Sequence, residues 1–141
     1  MKERRKGDIV LVSSGAGLVG LFGYTPYSPS KFALRGLAES MHKELKDCRI
    51  TTSIVYPPDT DTPQLIAEQK VKPKETTRIT ESAKSWSAEA VATCILKGVK
   101  KGRFVITPGW EMSLLSILHS LINPILQWQF DSIVDKVRKN R

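Results

Sequence analysis

Four consecutive apolar residues, Ile9, Val10, Leu11 and Val12, lie between Gly7 and the small residues of 13–17 (SSGAG), and this run most limits how the chain can fold. An unbroken apolar run of this length, bounded by turn residues and rich in β-branched side chains, predicts a strand covered on both faces, as in a parallel sheet. A parallel neighbour requires a crossover, and the sequence supplies one. Over 26–46 the apolar residues Leu34, Leu37, Ala38, Met41 and Leu45 recur at intervals of three and four, with Arg35, Glu39, Lys43 and Lys46 elsewhere on the wheel. That spacing predicts an amphipathic helix. Residues 49–56 (RITTSIVY) then form a second β-branched run, stopped by Pro57 and Pro58, which have no amide proton for a ladder.

Residues 59–85 are polar, with Lys70, Lys72 and Lys74 and one short apolar patch at Leu65, Ile66 and Ala67. They read as a mobile excursion holding one helix. Ser87 is placed to cap a helix with Ala88, Val91, Ile95 and Val99 on one face, ending at Lys100, Lys101 and Gly102. Residues 103–107 (RFVIT) predict a third strand. The order strand, helix, strand, helix, strand implies an α/β fold with right-handed parallel crossovers. The 141 residues, 40% of them hydrophobic and 26% charged, suffice for one core and exclude collagen-like and fully disordered classes.

The stretch 112–126 (MSLLSILHSLINPIL) is apolar, but His119, Asn123 and Pro124 interrupt it, and it is shorter than the roughly 20 residues that span a bilayer. Trp110 and Trp128 flank it, and Lys136, Arg138, Lys139 and Arg141 follow. Two readings stay open. One is an interfacial segment broken into two short pieces at Asn123 and Pro124; the other is a core element followed by a solvated basic tail. The expected division is 1–109, with 59–85 as a mobile lid, and 110–141, an apolar segment with a basic tail, for which membrane association is the expectation carried forward.

The net charge of +8 favours phosphate-bearing partners in general without choosing among them. Lys97, Lys100 and Lys101 fall in the last turn of a predicted helix, where they complement its dipole, so nucleic acid is not expected as a partner. Cys48 and Cys94 fit neither a disulfide framework nor a zinc site and read as small buried residues of a reduced compartment. His42 and His119 are isolated, and no metal site is expected. The apolar part of the N-terminal segment is too short for a cleavable export signal.

Chemistry concentrates in Ser14, Tyr27 and Lys31. Residues i and i+4 share a helix face, so Lys31 can place an ammonium beside the Tyr27 phenol. A fixed ammonium favours the phenolate and makes a phenol a usable acid and base near neutral pH. Ser14, at a strand end, can donate a hydrogen bond to a carbonyl oxygen as charge develops there. Tyr-x-x-x-Lys alone is a two-residue pattern and common by chance. It gains weight because Ser14, Tyr27 and the turn after Pro57 all fall at carboxyl ends of strands, where ligands gather in open α/β sheets.

The run VSSGAGLVGLFGYTPYSPSKFALRGLAESM (12–41) resembles the catalytic half of the short-chain dehydrogenase/reductase family, in which a serine, a tyrosine and a lysine at this spacing form the active site. The segment YPPDTDTP (56–63) stands where that family carries a Pro-Gly segment. The resemblance implies the C-terminal part of a doubly wound, Rossmann-type parallel sheet. It implies Tyr27 as general acid, Lys31 as the group that lowers its pKa and holds the nicotinamide ribose, and Ser14 as the group that orients the substrate carbonyl. Pro57, Thr60 and Thr62, together with Tyr27 and Lys31, would contact the cofactor. YPPDTDTP, then Lys72, Pro73, Glu75 and Thr76, and the late FDSIV (130–134), resemble the branch of the family that reduces 3-ketosphinganine to sphinganine with NADPH. That branch works at the cytosolic face of the endoplasmic reticulum membrane. A long-chain ketone substrate, a lipid surface and a homodimer paired through the Tyr27 helix are implied partners. Reduction of another lipid or steroid ketone, or a non-catalytic membrane-associated interaction module, are the alternatives.

Two departures matter. Pro29 lies within the Tyr-x-x-x-Lys span, where it is expected to remove a helix hydrogen bond and disturb the first turn. The family's Gly-rich cofactor loop, which should follow a first strand, and the Asn of its catalytic tetrad have no counterpart. The expectation is therefore the C-terminal part of a longer enzyme, lacking the Gly-rich cofactor unit and inactive by itself.

Overall fold

The computed structural model describes residues 1–81 and 83–139. The apolar run forms strand β1 (Gly7–Val12), the amphipathic segment forms α1 (Tyr27–Glu44), and the second β-branched run forms β2 (Ile50–Val55). β1 and β2 pair in parallel, with Gly7 opposite Ile50 and Val12 opposite Val55. The chain then forms β3 (Thr60–Asp61), α2 (Pro63–Val71), α3 (Lys74–Thr80), β4 (Trp86–Ser87), α4 (Ala88–Lys100), β5 (Val105–Ile106) and α5 (Trp110–Lys139). β5 joins the other side of β2, also in parallel, giving the sheet order β1-β2-β5.

β2 is central, and its residues 52–55 are buried, as a strand covered on both faces requires. Leu18, Val19, Ala38, Ile54 and Tyr56 form the core, with Leu34 of α1, Phe104, and Met112, Leu115, Leu126 and Phe130 of α5 packed against it. Ala38 has no exposed surface, while Leu37 on the same helix is 48% exposed. The predicted apolar face of α1 is therefore narrower than the spacing implied. α4 begins as expected, with the Ser87 hydroxyl accepting from the Ala90 amide at 3.2 Å.

β1, expected to be covered on both faces, has no buried residue and leaves Val12 49% exposed, because it is the edge strand and, among the described residues, β2 alone pairs with it. Two further elements differ from expectation. The excursion 59–85 carries two helices, α2 and α3, and a two-residue parallel ladder between β3 and β4. Thr62 explains the first of these: its hydroxyl accepts from the Leu65 amide at 3.3 Å, with Pro63 at the first helical position, where a missing amide proton costs nothing. The second difference is α5, which runs unbroken through Asn123 and Pro124. An interior proline costs a helix about 3 kcal/mol or more, so contacts on both sides of it must hold the axis together. They exist. Met112 and Leu115 before the proline, and Leu126 and Phe130 after it, pack on the same core. Arg35 donates to His119 at 2.6 Å, and Gln127 donates to the Gly20 carbonyl at 3.4 Å.

The inward face of α5 leaves an outward one. Trp110, Leu114, Ile117, Leu121, Ile125 and Trp128, spaced by threes and fours, are all exposed. Among the described residues, no helix is long and apolar enough to cross a membrane.

Candidate active site

The site is assembled where β1 and β2 end side by side. The Ser13 amide donates to the Val55 carbonyl at 2.8 Å, one step beyond β1. The buried Ser13 hydroxyl donates to the Lys31 carbonyl at 3.0 Å and ties the strand end to α1. Gly17 makes this approach possible, because a Cβ there would stand 2.4 Å from Ser13 Oγ and 2.8 Å from the Lys31 carbonyl oxygen. Any side chain at 17 would push the helix off the strand.

Tyr27 opens α1. The preceding Pro26 offers no side-chain cap, and the Tyr24 carbonyl takes its place, accepting from the amides of Tyr27 and Ser28 at 2.9 and 2.8 Å. Pro29 is the third helical residue, within the first turn, where amide protons have no intrahelical partner. The expected loss of a hydrogen bond therefore does not arise. Lys31 Nζ donates to the Val12 carbonyl at 3.2 Å and lies 5.4 Å from the centre of the Tyr27 ring.

Ser14 caps the short 3-10 turn Gly15–Gly17, its hydroxyl oxygen accepting from the Ala16 amide at 3.2 Å. That bond uses a lone pair and leaves the hydroxyl proton free to donate. Ser14, Tyr27 and Lys31 thus gather at the carboxyl end of β1. Pro57, Thr60 and Thr62 follow the end of β2. Thr60 donates to the Pro58 carbonyl at 2.9 Å and Thr62 to the Thr60 carbonyl at 3.2 Å. Among the described residues no hydrogen bond joins this turn to Tyr27 or Lys31. The pairing of Val12 with Val55 is what keeps the two turns adjacent.

Tyr24 and Glu68, which no recognised spacing marked, lie beside Tyr27 together with Lys72, which entered only through the branch resemblance. The Tyr24 and Tyr27 rings meet edge to face, 5.3 Å between centres at 73°. The Tyr24 hydroxyl donates to Glu68 of α2, and Lys72 Nζ lies 3.7 Å from that carboxylate. Burial, the bond to Glu68, and the nearby charges of Glu68 and Asp59 push the Tyr24 phenol well above its usual range. Tyr56 is also pushed up, first by burial; Arg35 lowers it and Glu39 raises it.

Above about pH 10 the unfolded tyrosines lose protons that Tyr24 and Tyr56 retain when folded. The native state then binds more protons, and stability falls as pH rises. Alkaline titration of phenolate absorbance is expected to show Tyr24 and Tyr56 ionising late. Tyr24→Phe should remove one late component; ionisation of both near pH 10 would contradict this.

His42 packs tilted against Phe104, 4.5 Å between ring centres at 43°, and Cys48 and Cys94, expected to be buried, are half-buried free thiols. Among the described residues no group of three or more His, Cys, Asp or Glu side chains could hold a metal ion.

A parallel α/β sheet with a serine at one strand end, and a tyrosine and lysine one helical turn apart beside it, defines a dehydrogenase-type site. The chain belongs to the short chain dehydrogenase family, whose sequence profile matches residues 1–73. It is 49% identical over 125 residues to a 3-dehydrosphinganine reductase of Danio rerio, covering 89% of this chain and 38% of that protein. It is 46% identical over 128 residues to a 3-ketodihydrosphingosine reductase of Dictyostelium discoideum, covering 91% and 38%. The chain therefore spans 38% of the length of these curated relatives.

Solved structures share the fold. A short-chain dehydrogenase from Streptomyces avermitilis superposes with a TM-score of 0.66 at 23% identity, covering 94% of this chain and 54% of that one. Another from Burkholderia cenocepacia, solved with NADP, gives 0.71 at 19%, covering 92% and 48%. The three-stranded sheet here corresponds to part of the doubly wound, Rossmann-type fold of those proteins, of which this chain covers 54% and 48%.

Proposed function

We propose that this chain carries the proton-donating and substrate-facing half of a reductase that converts 3-ketosphinganine to sphinganine with NADPH. The observation that carries the proposal is the 49% identity to the Danio rerio 3-dehydrosphinganine reductase, sustained over 89% of this chain. The placement of Tyr27, Lys31 and Ser14 supports it.

When bound, the nicotinamide supplies a hydride to the carbonyl carbon. The residues of this chain do the rest. Tyr27 gives its hydroxyl proton to the carbonyl oxygen, which becomes the alcohol. Ser14 donates a hydrogen bond to that oxygen and orients the ketone. Lys31 places its positive charge against the Tyr27 ring. The donor set also suits the cofactor. Lys31 spends one of its three donors on the Val12 carbonyl and keeps two for ribose hydroxyls. In the turn at Pro57, Thr60 and Thr62 the hydroxyl protons and the Leu65 amide are bonded within the turn, and Pro63 has no amide proton, so a carboxamide or phosphate held there would take over those hydroxyl donors.

The reading extends to a lipid surface, as a long-chain ketone requires, and to the cytosolic face of the endoplasmic reticulum. The apolar stripe of α5 supports it, lying in the plane of the interface with tryptophans at both ends and Lys136, Arg138 and Lys139 beyond. Leu118, on the inward side, is excluded from the stripe. Replacing Leu114, Ile117, Leu121 and Ile125 by Ser is expected to move the full-length gene product from the membrane pellet to the supernatant while its melting transition persists. A wild-type protein that stays soluble would remove the lipid surface from the account. Pairing of two copies through α1, which exposes Phe32 and Leu37, belongs to the same reading.

The proposal as a whole is tested in cells that lack their own 3-ketosphinganine reductase. Expression of the full-length gene product is expected to restore sphinganine. Accumulation of unreduced 3-ketosphinganine would overturn the assignment.

A further inference from the structure

We propose that Tyr24 is the positioning residue for Tyr27, and that its hydroxyl, bonded to Glu68, pegs helix α2 to the loop from which the Tyr27 helix starts. The kinetic part rests on the reading just given; the structural part does not.

Tyr24 reaches its neighbours in three independent ways. Its carbonyl holds the first two amides of α1, which has no side-chain cap of its own. Its ring lies edge to face with Tyr27, which restricts rotation of that ring and so the direction of its hydroxyl. Its hydroxyl donates to Glu68, and the Lys72 side chain, only 6% exposed, lies against the same carboxylate oxygen.

Apolar packing holds α2 only weakly. None of its residues is buried, Leu65 is half-buried, and Ile66 and Val71 are 53% and 81% exposed. The polar peg thus adds a direct tie between the middle of α2 and the site, beyond the β3–β4 ladder at its start. The next helix is tied to the same loop. Thr76 of α3 donates to the Phe22 carbonyl at 2.6 Å, and Gly23, at φ +75°, admits Pro73 where a Cβ would stand 2.8 Å from its Cγ. Loop 22–24 therefore receives both helices of the excursion and passes their positions to Tyr27.

Limited trypsin digestion of the folded protein tests the peg without any activity. Tyr24→Phe keeps the ring and the backbone cap and removes only the hydroxyl, so cleavage after Lys70, the trypsin site within α2, is expected to quicken about tenfold as α2 opens locally, whereas Pro73 protects the bond after Lys72. Glu68→Ala should match it, and the double variant should be cleaved no faster than either single one. Glu68→Gln keeps an acceptor for the phenol and should stay near the wild-type rate. Wild-type cleavage rates in both Tyr24→Phe and Glu68→Ala would overturn the peg.

Positioning is tested in the full-length gene product with NADPH and 3-ketosphinganine. Tyr24→Phe is expected to raise KM about fivefold with a smaller fall in kcat, whereas Tyr24→Ala, which loses the ring, should lower kcat about tenfold and displace the pH profile of kcat. Tyr24→Leu carries the same comparison should the alanine variant not fold. A folded ring-deletion variant with wild-type kcat and pH profile would overturn the positioning role. Absence of ketone reduction by the wild type would overturn the functional reading instead, and the digestion would still decide the peg.

Discussion

Tyr27→Phe in the full-length gene product is expected to lower turnover of the ketone by at least about a hundredfold, the lower end of what a positioned general acid contributes. The substitution removes one oxygen and its proton. The ring remains, and with it the edge-to-face contact to Tyr24 and the approach of Lys31 Nζ to the ring centre. The main-chain bonds that start α1 do not involve the phenol. Folding should therefore be unchanged, and the loss should appear in kcat with little change in KM. Lys31→Met is expected to weaken cofactor binding as well as turnover, since it deletes the donors left over after the Val12 bond. Wild-type turnover in Tyr27→Phe would show that another group supplies the proton.

Ile54→Ala is expected to cost about 2 to 5 kcal/mol of stability, the range for truncating a large buried aliphatic side chain. Ile54 lies on the central strand, pairs with Leu11 of β1 and with Val105 of β5, and is 1% exposed within the core cluster. Its removal opens a cavity at the one strand that holds both neighbours, and the surrounding main chain, fixed by ladders on two sides, has little freedom to close it. Leu96→Ala on α4, where the side chain is 60% exposed, is the control and should change stability by less than about 0.5 kcal/mol. Comparable losses in the two variants, measured by denaturant unfolding, would contradict the placement of β2 at the centre.

Local patterns revealed the sheet and its crossover helices because burial on both faces and helical spacing leave direct marks on a sequence. The stop at Pro57 and the cap at Ser87 each reflect a requirement met within a few residues, whereas the run of Ile9 to Val12 marked a strand correctly but its two-sided burial wrongly, since cover depends on neighbours far along the chain. α5 was less legible, because the penalty of Pro124 is local and visible whereas its compensation, through Met112, Leu115, Leu126, Phe130 and the bond from Arg35 to His119, is long-range. The second helix of the excursion was hidden for a related reason. α3 docks through Thr76 and the fit of Pro73 at Gly23 rather than through an apolar stripe. In the site, Ser14, Tyr27 and Lys31 were legible from their spacing and from their positions at a strand end. Tyr24 and Glu68 were not, because a contact across 44 positions has no periodicity to betray it.

Reduction of 3-ketosphinganine by the purified full-length gene product tests the central claim most directly, with NADPH consumption and sphinganine followed together. The account predicts one sphinganine formed for each NADPH consumed by the wild type, and loss of both signals together in Tyr27→Phe. A stable, folded wild-type protein that consumes no NADPH with this ketone, or a Tyr27→Phe protein that forms sphinganine at the wild-type rate, would contradict it.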